Sequence, residues 1–207
     1  MKSFKQQKYL VIRKAVPLNL IDFIYHYFNL KRNVASYLLG KRLISPFEKA
    51  YGEFNDTQIP GTYSCYADLV METLGAGLKS KIEKATELKL IETYTYARIY
   101  KHGDVLNRHK DRAACAVSAT LCLGGDQVWP IYVDPTGKRG GKGISVKLKP
   151  GDLLCYSGCE IEHWREAFMG KDCGQVFLHY NDLADKSCVK YDGRPALGLP
   201  AYVKNYK

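Results

Sequence analysis

Three residues of this 207-residue chain have the types and the spacing to hold a metal ion. His109 and Asp111 stand two apart at the end of residues 94–111, a stretch that opens with alternating aromatic and other side chains and turns at His102-Gly103-Asp104. That alternation is the period-2 pattern of a half-buried strand, and on a strand residues two apart share a face. An imidazole and a carboxylate side by side are two thirds of a metal site. His163, which follows the strand-like residues 151–156, is the candidate third ligand. Two histidines and a carboxylate on one face of a metal leave coordination positions open, as in non-haem iron(II) oxygenases, and zinc hydrolases use the same ligand types. His102 and His179 compete less well, because neither has a carboxylate two residues on at a matching motif position.

The elements that must position these residues are legible as a β-rich body with helical support. Residues 8–15 read as an edge strand ended by Pro17. Residues 18–30 carry apolar side chains at helical spacing, entered through Pro17 and capped by Asn19, and residues 33–40 extend that helix or form another. Residues 45–63, with Pro46, Gly52, Asn55, Asp56, Pro60 and Gly61, read as loop. Residues 66–89 read as a second helix, weakened at Gly75 and Gly77, where a bend is expected. Short strands are expected over 114–123, 129–133, 144–148, 153–156 and 174–180, with Gly, Pro and Asp turns between them, a pattern of sandwiches and barrels. The expectation is one domain: residues 1–90 as helical support and edge strand, 91–182 as β core, and 183–207 as a tail that wraps the core or closes over a site.

Composition narrows the class. The chain is 46% hydrophobic and 25% charged, ordinary for a soluble globular protein, and its sixteen tyrosines favour β structure. No apolar run of about 18 residues is present, so no membrane span is expected, and no secretory signal is read at the start. The seven cysteines include no Cys-x-x-Cys pair, which speaks against a zinc ribbon and suggests reduced thiols in the cytoplasm. Lys and Arg exceed Asp and Glu by 31 to 21, a net charge of +10. That leaves an anionic partner such as nucleic acid open, although the charges are scattered and equally describe a solvated basic surface.

Tyr100-x-x-Gly103-x-x-Leu106-x-x-His109-x-Asp111, followed by Lys149-Pro150-Gly151-Asp152-Leu153 and the distal His163, resembles the prolyl-hydroxylase-like branch of the 2-oxoglutarate- and iron(II)-dependent dioxygenases. The resemblance covers about residues 90–182. It implies an α+β protein with a double-stranded β-helix (jelly-roll, cupin-like) core and iron(II) held by His109, Asp111 and His163. It further implies 2-oxoglutarate and O2 as co-substrates, with ascorbate supportive, and hydroxylation of a C–H bond with release of succinate and carbon dioxide.

Members of that branch usually carry, nine or ten residues after the distal His, a cation that pairs with the far carboxylate of 2-oxoglutarate. Here those positions are Asp172 and Cys173. A carboxylate buried without a partner is costly, so another cation is expected, and the bidentate fork of Arg suits it best. The candidates are Arg165, preferred because it stands two residues after His163, then Lys171 and Arg98. Tyr100 is expected to donate its hydroxyl to the co-substrate. Trp164, His179 and Arg139 are the candidate substrate contacts. A peptide or protein side chain is the expected substrate, with nucleic acid or a small molecule as the alternative. A barrel that only binds metal or ligand stays open because of the missing strand cation.

Overall fold

A computed structural model describes residues 3–138 and 140–204. The elements in chain order are α1 (Phe4–Gln7), β1 (Tyr9–Ile12), α2 (Leu18–Gly40), β2 (Tyr63–Tyr66), α3 (Leu69–Thr86), β3 (Leu90–Lys101), β4 (Leu106–His109), β5 (Val117–Gly125), β6 (Ile131–Asp134), β7 (Ile144–Val146), β8 (Leu153–Tyr156), β9 (Glu162–Arg165) and β10 (Asp172–Asp182). Short 3₁₀ turns cover Ala113–Cys115, Lys190–Gly193 and Ala201–Val203.

The strands form two antiparallel sheets, a six-stranded one in the order β1-β8-β5-β10-β3-β2 and a four-stranded one in the order β4-β9-β6-β7. The chain passes back and forth between the sheets, β3 to β4 to β5 to β6, which makes the architecture a double-stranded β-helix. Two long inner strands, β3 of 12 residues and β10 of 11, pair along nearly their whole length and form the spine. The expected edge strand is indeed an edge, β1 beside β8. Helices α2 and α3 cover the outer face of the larger sheet, where Ile21, Ile24, Phe28, Met71, Leu78 and Ile82 bury against Leu121, Val176 and Leu178. No helix among the described residues is long and apolar enough to cross a membrane.

Several boundaries differ from the sequence reading, each for a physical reason. Helix α2 is one 23-residue element that includes residues 33–40, and Pro17, not Asn19, stands at its cap. Helix α3 begins at Leu69, because Ala67 turns the chain with φ 54° and Asp68 caps the helix, accepting from the amides of Val70 and Met71. Residues 63–66 are instead a strand that pairs with Tyr96–Ile99. The expected weak middle of α3 stays helical. Gly75 lies against Thr95 and Leu178, and its carbonyl accepts from the Tyr180 hydroxyl, so the glycine lets helix and sheet approach closely there. Residues 114 and 115, expected to open a strand, belong instead to the 3₁₀ turn Ala113–Cys115, since the chain must first cross from one sheet to the other before β5 begins. Trp129 precedes β6 and belongs to the core, its Nε1 donating to the Glu166 carbonyl.

Candidate metal centre

Strands β4 and β9 are neighbours, and His109 and His163 are direct partners in their register. Their ring centroids lie 4.3 Å apart. Strand β4 ends at His109, so Asp111 reaches the same place from the chain beyond it, its amide donating to the Gly158 carbonyl. Asp111 Oδ1 lies 3.6 Å from His109 Nε2 and 3.4 Å from His163 Nε2. The three donor atoms fall within 4.8 Å of one another, close enough to share one ion.

The far sides of the ligand side chains fix which atoms point inward. His109 Nδ1 lies 2.7 Å from the Asn107 carbonyl and His163 Nδ1 lies 3.4 Å from that of Ile161. A carbonyl only accepts, so each Nδ1 carries the proton and each Nε2 presents its lone pair to the centre, the arrangement that orients a histidine for a metal ion. Asp111 Oδ2 is held by the Ser118 hydroxyl at 2.6 Å. Gly158 completes the cradle: a Cβ there would stand 2.4 Å from Asp111 Oδ2 and from the Cys115 carbonyl.

Electrostatics suit a cation. Burial alone would raise the pKa of Asp111, yet the neighbouring His163 imidazole, with the Ser118 bond, holds it well below the usual carboxylate range. Burial, and then the neighbouring His163, pushes His109 down toward the neutral form. Behind the triad, burial and the Asp111 charge push the Cys115 thiol up to about 12, so it stays protonated and inert.

The triad opens on a cavity of about 300 Å³. Its wall is the alternate-residue face of β3, namely Tyr94, Tyr96, Arg98 and Tyr100, with Phe177 and His179 from β10 and Tyr156 from β8. Tyr100 and Arg98 therefore stand at the site as residues two apart on one strand must. His179 lines the cavity, packs on Tyr94 and is buried, which lowers its pKa to about 4.

The remaining candidates divide. Arg165 is 1% exposed and lies on β9 two residues beyond His163, opposite Leu106 of the cavity wall, without itself lining the cavity. Its guanidinium donates to the Trp129 carbonyl and to Gln175 Oε1, and its Nε has no partner. Gln175 lies on β10 two residues beyond Cys173, so Arg165 reaches from β9 to the final strand. Lys171 is exposed at the end of the β9–β10 connection, directly before β10, and is not brought to the cavity. Trp164 is also not brought there. Alternation puts it on the outer face of β9, stacked on Tyr132 and covered by Arg108. Arg139 lies outside the described residues.

Two cavity residues came from the stretch read only as loop. Asp56 pairs with Arg98 Nη2 at 2.9 Å and accepts from the Tyr96 hydroxyl, while Gln58 Oε1 accepts from Arg98 and its amide nitrogen lies 3.4 Å from His109 Nε2. Asp56-Thr57-Gln58 is an ordinary turn sequence, so no local signal marked it. The same holds for Ser118, an inconspicuous serine on an apolar strand.

No family model and no curated protein matches the sequence. Among solved structures, a Pseudomonas putida prolyl-4-hydroxylase is 13% identical with a TM-score of 0.63, covering 86% of this chain and 95% of that one. HygX from Streptomyces hygroscopicus, solved with nickel and 2-oxoglutarate bound, is 15% identical with a TM-score of 0.61 over 87% and 85% of the two chains. EctD from S. alaskensis, in its apoform, is 16% identical with a TM-score of 0.62 over 94% and 80%. The fold is thus the double-stranded β-helix that 2-oxoglutarate- and iron(II)-dependent oxygenases share.

Proposed function

We propose that this chain is an iron(II)- and 2-oxoglutarate-dependent oxygenase that hydroxylates a C–H bond, with a peptide or protein side chain as its substrate. The observation that carries this reading is the convergence of His109 Nε2, Asp111 Oδ1 and His163 Nε2 at the mouth of the β-helix, with both Nδ1 atoms at backbone carbonyls. Three protein ligands on one side leave positions for a chelating co-substrate and O2. Bound there, iron(II) would supply the redox chemistry that couples decarboxylation of 2-oxoglutarate to substrate hydroxylation.

The chain's own residues would do the rest. Arg165 is our anchor for the far carboxylate of 2-oxoglutarate. It is a buried guanidinium with an unpartnered Nε and no carboxylate within pairing distance among the described residues. Such a charge is costly until an anion meets it. Arg98 carries the other unpartnered buried Nε, but Asp56 already neutralises it, which suits a role in holding Asp56 and Gln58 over the cavity. Tyr100, Tyr156, Leu106 and Phe177 keep water from the floor.

The peptide substrate rests on the resemblance of the Tyr100-to-Asp111 motif to prolyl hydroxylases. A small molecule is the second reading, favoured by the size of the cavity and by HygX, which has been solved with hygromycin B bound. The thiols, five of them buried and all unpaired, support work in a reducing cytoplasm. The test is succinate formation from 2-oxoglutarate with iron(II), ascorbate and O2, candidate peptides added. Activity that disappears in His109→Ala is the expected result. A wild-type protein with no affinity for either iron(II) or 2-oxoglutarate would sink the proposal.

A further inference from the structure

Resting on the metal reading above, we propose that Ser118 and His179 form a positioning relay for the metal-binding carboxylate, so that His179 acts on Asp111 through Ser118 and not on substrate. His179 was expected to contact substrate, and it does line the cavity. Its hydrogen bond tells another story. His179 Nδ1 lies 2.9 Å from Ser118 Oγ, and the same oxygen lies 2.6 Å from Asp111 Oδ2.

The proton positions follow from what each atom can do. Asp111 Oδ2 is a carboxylate oxygen and only accepts. Ser118 has one hydroxyl proton, for which the Cys115 carbonyl at 3.2 Å competes with the charged and closer carboxylate. The charge-assisted bond is the stronger, so the proton goes to Asp111. Ser118 Oγ then accepts, and His179 Nδ1 must be the donor. The relay runs in one direction: His179 Nδ1–H to Ser118 Oγ, Ser118 Oγ–H to Asp111 Oδ2.

The packing makes this arrangement rigid. Ser118 is fully buried, and its strand partner in the β5–β10 register is His179 itself. Tyr94 packs on the imidazole with centroids 4.6 Å apart, and the Arg112 guanidinium lies 4.5 Å from the Tyr94 ring centroid. A carboxylate has two oxygens and free rotation about its last bond. Tying Oδ2 back through the relay leaves Oδ1 turned toward His109 and His163 Nε2. Outer partners of this kind commonly change metal affinity by about 10- to 100-fold.

The test is titration with Co(II), read both as affinity and as the visible spectrum of the bound ion, which reports ligand geometry independently of turnover. Wild type, His109→Ala, Ser118→Ala, His179→Leu and His179→Asn are compared, with circular dichroism as the check of folding. Ser118→Ala is nearly isosteric, so it decides the question even if His179→Leu fails to fold. We expect Ser118→Ala and His179→Leu each to bind Co(II) about tenfold or more weakly, with an altered spectrum, while His179→Asn, which keeps a donor near Ser118, recovers much of the affinity. Wild-type affinity and spectrum in Ser118→Ala would overturn the relay while leaving the metal centre intact. Failure of His179→Asn to recover anything, with Ser118→Ala impaired, would remove His179 from it. Wild-type binding that is absent, or unchanged in His109→Ala, would overturn the metal reading and the relay with it.

Discussion

The centre of this protein is made by pairing two histidines directly across two short strands. A strand register is a discrete choice, and a slip by one residue would turn His163 outward and bring Trp164 in. The pair His109 and His163 is therefore as well fixed as the β4–β9 ladder itself. The same alternation delivers Arg165 beneath His163. If Arg165 is the carboxylate anchor, Arg165→Ala should weaken 2-oxoglutarate binding at least about tenfold, the scale of a lost charge-assisted hydrogen bond. Co(II) affinity should hold within about twofold. Isothermal titration in the presence of metal measures both, and unchanged 2-oxoglutarate affinity would transfer the role to Arg98, whose own Ala variant belongs in the same series.

Among the elements, α3 shows most clearly how the helical support is tied to the β core. Its capping residue Asp68 is buried and does three jobs: it caps the helix, pairs with Lys31 of α2 and accepts from the Tyr27 hydroxyl. A lost cap costs about 1 kcal/mol, and stranding two partly buried partners adds to it. Asp68→Ala should therefore lose about 2–3 kcal/mol in urea unfolding, with the succinate assay at low temperature little changed. A loss below about 0.5 kcal/mol would mean that water replaces the carboxylate at no cost.

At the scale of the whole molecule, the tail read as wrapping the core is fastened by buried acids. Asp192 accepts from both Arg112 Nη atoms, the Tyr66 hydroxyl and Lys204, and Arg194 pairs with Glu72 at 2.8 Å. For Asp192 burial raises the pKa, but the bonds from Arg112, Lys204 and Tyr66 outweigh it and hold the carboxyl well below its ordinary value. Asp152 is likewise held low against burial by the amides of Lys149 and Lys14 and by Arg13. A carboxyl with a depressed folded pKa binds fewer protons folded than unfolded. Its stabilisation is complete above the unfolded value, about pH 4, and is lost as pH falls through the folded one. Thermal midpoints should accordingly fall between pH 5 and pH 2, and Asp192→Asn should be less stable at pH 7 but flatten that dependence. An equally steep acid loss in Asp192→Asn would place the titrating groups elsewhere. Carboxylates also balance charge at the site: the arginines that line the cavity, Arg98 and Arg112, are each matched to one.

What the sequence determined by itself was the pattern that short-range rules govern. Alternation on β3 put Tyr96, Arg98 and Tyr100 on one face, helical spacing gave α2 and α3, and the Tyr100-to-Asp111 motif with His163 gave the fold and the three residues that converge in it. Local signals failed where the partner is distant in the chain. The strand Tyr63–Tyr66 exists because β3 offers it an edge, and its own four residues carry no period long enough to read. Asp56 and Gln58 gain their place from Arg98, some 40 residues away. Ser118 becomes part of the centre only because β5 lies beside β10 and the turn after Asp111 packs under it. Trp164 was misjudged because proximity to His163 in sequence is opposition in a strand. Tertiary structure decides such cases because a hydrogen bond or ion pair fixes a side chain by where its partner lies in space, and strand pairing brings together residues that no local window contains.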